Sequence, residues 1–181
     1  MRTSAQQLID EHQVILRVLD ALESTLDESP HEDGLPVAFL RDVVTFSQSF
    51  IDACHHGKEE GCLFPCLERL GLPRDSGPIQ TMLDEHETGR GLVREIARAL
   101  DGYEQGTVSH EQAVEPCRAY IELLRQHIEK EDTIFSEMGA ALMTDADDAD
   151  TARCYEATEA DHGQHDAMVR LAKLLEQRNA G

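Results

Sequence analysis

Two short segments of the chain pair histidine with glutamate at the spacing of one helical turn. In residues 55–65, HHGKEEGCLFP, two adjacent histidines are followed four residues later by two adjacent glutamates. Residues 127–135, HIEKEDTIF, repeat this pattern with a single histidine. Residues four apart share one face of an α-helix, so each imidazole can lie beside a carboxylate. Such a pair is either an exposed surface feature or half of a transition-metal site.

The apolar periodicity of three predicted helices places histidines where leucines would be expected. In the fourth helix the inward seam contains both His127 and Glu131, and the seams of the first and third helices contain His12 and His86. Buried imidazoles and carboxylates cost free energy unless they are paired or bind a metal. Because several helices share this feature, we expect their polar side chains to converge on a cation site.

The second helix carries two candidate pairs, and the apolar stripe before them predicts which pair faces inward. Continuing the stripe that ends at Cys54 by three or four residues reaches His55 and then Glu59. An α-helix turns by about 100° per residue, so His56 and Glu60 fall on a different face. We therefore expect the His55–Glu59 pair to lie inside the bundle, and the His56–Glu60 pair to point outward or to support the ligands.

The kinds of ligand in this set predict the kind of metal. Helices two and four run parallel in an up-and-down bundle, so their His–Glu pairs can face each other. Two bridging carboxylates and several terminal imidazoles describe a dinuclear transition-metal site. Oxygen ligands alone would favour magnesium or calcium, whereas this nitrogen-rich mixture favours two iron ions, with manganese or zinc as alternatives.

The rest of the sequence predicts helices and no strands. Aromatic residues make up only 4% of the chain, and this favours helices packed by aliphatic side chains. A capping box of Ser4 and Gln7 opens the first helix, and Pro65 is expected to kink the second or mark its last turns. Caps and breaks predict helices near residues 4–26, 36–70, 76–100, 109–142 and 151–177. The predicted fold is a single all-α domain over residues 1–181, an up-and-down four-helix bundle with an additional C-terminal fifth helix.

The composition argues against several classes of partner. The chain has 36 acidic residues against 16 Lys and Arg, a formal charge of −20, and such a surface repels nucleic acid and anionic lipid. No apolar run is long enough for a membrane span, and MRTSAQQLIDEHQ lacks a hydrophobic signal region, so we expect a cytoplasmic protein. The five cysteines are expected to be reduced thiols, although Cys62 and Cys66, four residues apart, could contribute to a zinc site.

Taken in order, these motifs resemble the hemerythrin-like family, also called the HHE cation-binding domain. The matching elements are His12 in DEHQ, the His55–Glu59 pair followed by LFP, His86 in DEHETGR, and the pair at residues 127 and 131. Each motif alone is weak, but the ordered set over residues 12–135 is specific. The resemblance implies a four-helix bundle around a non-heme di-iron centre with two bridging carboxylates.

One position departs from the oxygen-carrying members of that family. Those proteins place two histidines one turn apart on the third helix, whereas Arg90 stands four residues after His86 here. A set of five histidines and two carboxylates then requires one more histidine. The seam of the fifth helix selects His165, with His162 and His56 as alternatives. The resulting set of implied metal ligands is His12, His55, Glu59, His86, His127, Glu131 and His165.

A di-iron site with this ligand set can leave a position open for O2, NO or peroxide. The resemblance therefore implies a protein that senses, stores or detoxifies such a ligand. The alternatives are an enzyme that disproportionates hydrogen peroxide or donates iron to repair damaged iron centres, and a redox-inert zinc-binding bundle. Tyr120, seven residues before His127, and Arg90 can approach the open position, which favours reactivity. Both residues can equally serve structural roles at the bundle end and the surface.

Overall fold

A computed structural model describes residues 3–28, 34–134 and 140–178. No β-strand occurs in these residues, which confirms the predicted all-α bundle. None of the described helices has both the length and the apolar character needed to cross a membrane. A helical turn, Ala140–Leu142, precedes the last two helices. The helices are α1 (Thr3–Glu28), α2 (residues 37–69), α3 (Gly77–Glu104), α4 (His110–Ile134), α5 (Asp145–His162) and α6 (His165–Arg178).

Helix α2 is α-helical at its ends and π-helical in its middle. Val37–Phe46 and Phe64–Arg69 are α-helical, whereas Ser47–His56 and Glu59–Leu63 form π-helix. A π-helix bonds residue i to i+5 and holds more residues per turn, so successive side chains advance by less than the ~100° of an α-helix. Pro65, which has no backbone N–H to donate, lies just after the second π segment. The phase of α2 therefore changes over the stretch that carries the candidate ligands.

The segment predicted as one C-terminal helix forms two. Gly163 ends α5 with a φ of 60°, in the left-handed region that favours glycine. Helix α5 also begins earlier than the predicted residue 151, because Thr144 and Asp147 form a capping box in the stretch left between the last two predicted helices. The four-helix bundle is therefore followed by a helical pair, in which α6 packs against α1 and α2.

The first turn of α1 is held by α5 and not by its own capping box. Asp148 accepts hydrogen bonds from the backbone N–H groups of Thr3 and Ser4, both at 3.0 Å, and from the Ser4 hydroxyl at 2.6 Å. The Gln7 side-chain amide donates to Glu159 at 2.8 Å. The predicted Ser4–Gln7 capping box is therefore wrong, because the Ser4 N–H donates to Asp148 and not to the Gln7 side chain.

The apolar core consists of two clusters with a polar layer between them. In α1, Leu8 belongs to one cluster and Ile15 to the other, and His12 lies between them in the chain. In α3, Met82 and Val93 belong to the same two clusters and flank His86. The bundle thus carries polar side chains across its interior, and apolar side chains screen them from water on both sides.

Candidate metal centre

Buried side chains able to ligate metal ions form two groups in the polar layer. Within each group the candidate ligand atoms all lie within 4.8 Å of one another. Every residue in the two groups is at most 4% exposed. Group one is His12, His55, Glu59 and Glu131, and group two is His56, His86 and His127.

The two carboxylates of group one reach histidines of both groups. Glu59 places Oε1 at 3.4 Å from His55 Nε2 and Oε2 at 3.3 Å from His86 Nε2. Glu131 Oε2 lies 3.3 Å from the Nε2 atoms of both His12 and His127. Each carboxylate therefore lies between imidazoles of the two groups, as a carboxylate that bridges two metal ions must.

Several of these atoms are buried without a hydrogen bond. Among the described residues, all four carboxylate oxygens of Glu59 and Glu131 lack one, as do Nε2 of His86 and Nε2 of His127. A buried polar atom without a partner costs about 1–3 kcal/mol, and more when it is charged. Metal ions would satisfy all of these atoms together, so the residues present fit a dinuclear metal centre.

A ring of carboxylates orients four of the histidines. Each of these histidines hydrogen-bonds through Nδ1 to a carboxylate on the preceding helix, in a cycle that closes from α4 back to α1. This contact fixes the ring orientation and leaves Nε2 directed at the layer, the usual arrangement around metal-ligating histidine. The pairs are Asp132 with His12 (2.7 Å), Glu11 with His55 (2.9 Å), Glu60 with His86 (2.8 Å) and Glu85 with His127 (2.9 Å).

Sequence reasoning missed most of this ring, although repeats in the sequence could have revealed it. The triplet Asp-Glu-His occurs at residues 10–12 and 84–86, and His-x-x-Lys-Glu-acid occurs at residues 55–60 and 127–132. The glutamate of each triplet accepts from a histidine on the next helix and from its lysine, namely Lys58 or Lys130. The pair α1–α2 thus repeats the chemistry of the pair α3–α4.

Burial and close charges shift the pKa values of several groups in the layer. Burial opposes a charge on His86, but Glu131, Glu59 and Glu60 raise its pKa to about 11. Burial and the nearby His86 instead lower the pKa of His56 well below its ordinary value. Burial also opposes a charge on Glu131, yet the surrounding histidines lower its pKa well below the usual range. Metal ions entering this layer must therefore displace protons from imidazoles.

Six of the seven residues expected as ligands lie together in the layer, and His165 does not. His165 begins α6, is partly exposed, and has its Nε2 3.8 Å from Glu11 Oε1, outside both groups. The helix ends at Gly163, and a new helix begins at His165. The apolar periodicity that selected His165 therefore does not run continuously through this segment. The side chain of His162 lies outside the described part of the structure. Neither group of the layer includes His165.

His56 takes the place in the layer that was expected for His165. It is 4% exposed, and its ring stacks on His86 with the centroids 3.7 Å apart. The expectation that His56 points outward is therefore wrong. It assumed the 100° step of an α-helix, whereas Ser47–His56 is π-helical and turns both His55 and His56 inward.

A third group of possible ligands consists of Glu11, Glu159 and His165. A lysine side chain already supplies the positive charge between its two carboxylates. The Lys58 ammonium is completely buried and hydrogen-bonds to both Glu11 and Glu159. Burial opposes its charge, but Glu11 and the other carboxylate raise the pKa of Lys58. Since Glu11 also holds His55, this network connects α5 to group one.

On the opposite side of the layer, Arg90 pairs with acidic side chains. It donates to Asp52 at 2.7 Å and to Glu60 at 2.6 Å, so it supports the carboxylate that holds His86. The His86 contact and the Arg90 guanidinium, against the effect of burial, lower the pKa of Glu60 to about 2. A cavity of about 260 Å³ between α2, α3 and α4 is lined by Arg90, Tyr120 and His56, among others.

A disulfide joins the C-terminal helical pair to the bundle. Cys62 and Cys154 are bonded with S–S 1.96 Å and Cα–Cα 5.9 Å. Cys62 lies three residues after Glu59 in the second π segment, so this bond holds α5 against the part of α2 that carries group one. The expectation that all five cysteines are reduced thiols is therefore wrong, and the disulfide leaves Cys66 without a free neighbouring thiol for the alternative zinc site.

The fold and this layer define a helical-bundle protein built to bind cations. Residues 3–138 match the family described as Hemerythrin HHE cation binding domain, and the chain belongs to that family. Uncharacterized proteins of Mycobacterium bovis and Mycobacterium tuberculosis are 26% identical to it over 163 residues, covering 87% of this chain. The chain spans 61% of the length of these relatives. No solved structure matches it.

Proposed function

We propose that the chain is a non-heme di-iron protein that binds O2, NO or peroxide and so senses, stores or removes it. One iron ion is assigned to group one and the other to group two, with Glu59 and Glu131 between them. The observation that carries this proposal is that each carboxylate lies within 3.4 Å of histidines of both groups while making no hydrogen bond among the described residues.

The proposed ligand set has five imidazoles and two carboxylates, with His56 replacing His165. This mixture suits iron better than the hard cations calcium and magnesium. Iron held by these residues would supply coordination positions for a small ligand. Group one offers two imidazoles and group two offers three, so we assign the more open position to group one. The carboxylate ring holds the imidazoles in place, and the two apolar clusters keep bulk water away.

A second candidate function is disproportionation of hydrogen peroxide. The cavity beside His56 favours it, because a small polar molecule can reach the layer there. Tyr120, which is 2% exposed, contributes to the wall of that cavity and brings a hydroxyl that can donate a hydrogen bond.

Metal analysis of aerobically purified protein, together with its absorption spectrum, tests the main proposal. We expect about two iron ions per chain and bands in the near ultraviolet. A colourless protein with two zinc ions would instead support the redox-inert bundle and contradict the iron assignment. Oxygen evolution from added peroxide then distinguishes the second candidate from simple binding.

Two histidine variants test which imidazole completes the ligand set. We expect His56→Ala to hold one metal ion or to bind the second much more weakly, because it removes one of three imidazoles from group two. His165→Ala is the matched control and should retain both ions, since its ring lies outside both groups. The reverse result would show that the assignment of the fifth histidine is wrong.

A further inference from the structure

Tyr155 in α5 is a buried phenol that the proposed metal centre does not yet use. The residue is fully buried, and its hydroxyl makes no hydrogen bond with any described residue. A buried hydroxyl without a partner costs free energy, and most such groups are satisfied in folded proteins. Tyr155 also lies beyond residues 3–138, so it belongs to the part of the chain that the family match does not cover.

The position of Tyr155 brings it next to the layer that holds the two groups. It packs in the apolar cluster that contains Leu8, Leu63 and Met82. These residues lie four positions from His12, Glu59 and His86 respectively, so each is one helical turn from a candidate ligand. The tyrosine therefore belongs to the apolar cluster that borders the metal layer.

The charged side chains near Tyr155 belong to one side of the layer. Burial raises the pKa of Tyr155 well above its ordinary value, and Glu59 is the charged group that adds most to this effect, followed by Glu11. The Lys58 ammonium lies 6.0 Å from the ring centroid. Glu59 belongs to group one, and the other two residues form the network that holds His55. Tyr155 thus lies on the side of group one.

Group one is also where an added ligand has room in the coordination sphere. It offers two imidazoles against three in group two, and three of its four members come from α1 and α2, the helices against which α5 packs. A groove of about 760 Å³, lined by Glu11, Glu159 and His165 among others, opens on this side of the bundle. The groove therefore reaches Glu11, whose carboxylate holds His55 of group one.

We propose that the Tyr155 hydroxyl donates a hydrogen bond to the small anionic ligand that binds at group one of the metal-loaded protein. The proposal rests on the dinuclear centre described above. A hydroxyl held in a water-poor layer donates strongly to an anion, because no solvent competes with it. The hydroxyl then sets the affinity for anions without ligating a metal ion.

Azide is a suitable probe anion, because its binding to iron can be followed by absorption. We expect Tyr155→Phe to keep both metal ions and to bind azide about tenfold more weakly, equivalent to about 1.4 kcal/mol. Tyr103→Phe is the matched control, because that hydroxyl accepts from the backbone of Leu35 at the far end of the bundle. Its azide affinity should equal that of the wild type.

Each other outcome has a defined meaning. Unchanged azide affinity in a Tyr155→Phe protein that holds two metal ions overturns this inference and leaves the di-iron proposal intact. Loss of metal from the same variant also overturns it, because the hydroxyl would then support the ions and not the added ligand. A wild-type protein that holds no pair of metal ions overturns the proposed function as well.

Discussion

Replacing Lys58 by methionine should destabilise the metal-free protein far more than the same change at Lys130. The two lysines occupy equivalent positions in the repeated motif, and methionine keeps most of the apolar stem. Lys58 is completely buried and pairs with Glu11, which is 7% exposed, and with Glu159, which is 27% exposed. Removing one partner of a buried ion pair costs about 3–5 kcal/mol. The partial exposure of Glu159 places our expectation near the lower limit, about 3 kcal/mol.

Lys130 provides the internal control for this prediction. Its side chain is 42% exposed and pairs with Glu85, which is 18% exposed, so Lys130→Met should cost only about 0–1 kcal/mol. Urea denaturation of the metal-free proteins at pH 7 measures both values. With about 2–4 °C per kcal/mol for a domain of this size, the melting temperature should fall by roughly 6–12 °C for Lys58→Met. Losses that agree within 1 kcal/mol for the two variants would refute the argument.

Three further predictions concern the carboxylates, the protons and the disulfide. Glu59→Ala should abolish the binding of paired metal ions, whereas Glu60→Ala should weaken metal binding by about 10–100-fold. Equilibrium dialysis measures both affinities, and equal losses of metal affinity in the two variants would contradict the bridging role of Glu59. The metal-free protein should lose stability as the pH rises from about 6.5 towards 11. His86 keeps its proton in the folded state up to a pKa of about 11 but releases it near 6.5 when the chain is unfolded. A melting temperature that does not fall over this range would exclude that contribution. Cys154→Ser should cost about 2–4 kcal/mol, since the bond to Cys62 spans a sequence separation of 92. A thiol reductant should destabilise the wild type but not this variant, and equal sensitivity of the two would argue against the disulfide.

The sequence was sufficient to predict the seams of the regular helices. His12, His86 and His127 all lie buried in the layer, because α1, α3 and α4 keep the 3.6-residue period on which the prediction relied. The glycine of the stretch DHGQH could also have predicted the division between α5 and α6, since glycine is the usual residue at the end of a helix. Both features depend on local rules that act within a few residues.

The features that sequence reasoning missed depend on departures from regular geometry or on distant contacts. No local rule applied to α2 indicated the π-helical segments, so the predicted phase failed at His56. The contact of Lys58 with Glu159 joins residues 101 positions apart, and that of Asp132 with His12 joins residues 120 positions apart. Pairings of this kind follow from how the helices pack, which residue spacing alone does not specify.

The C-terminal helices make the two halves of a repeated site unequal. Lys58 and Lys130 occupy matching positions, but only Lys58 is sealed under α5, where Glu159 completes its ion pair. His55 in α2 is followed by His56, whereas His127 in α4 is followed by Ile128. Helix α2 therefore gives the layer one more imidazole than α4 does. One group is therefore linked to α5, and the other borders the cavity beside His56. Two metal ions in such a layer would therefore meet different surroundings, one beside the Lys58 network and the other beside the cavity.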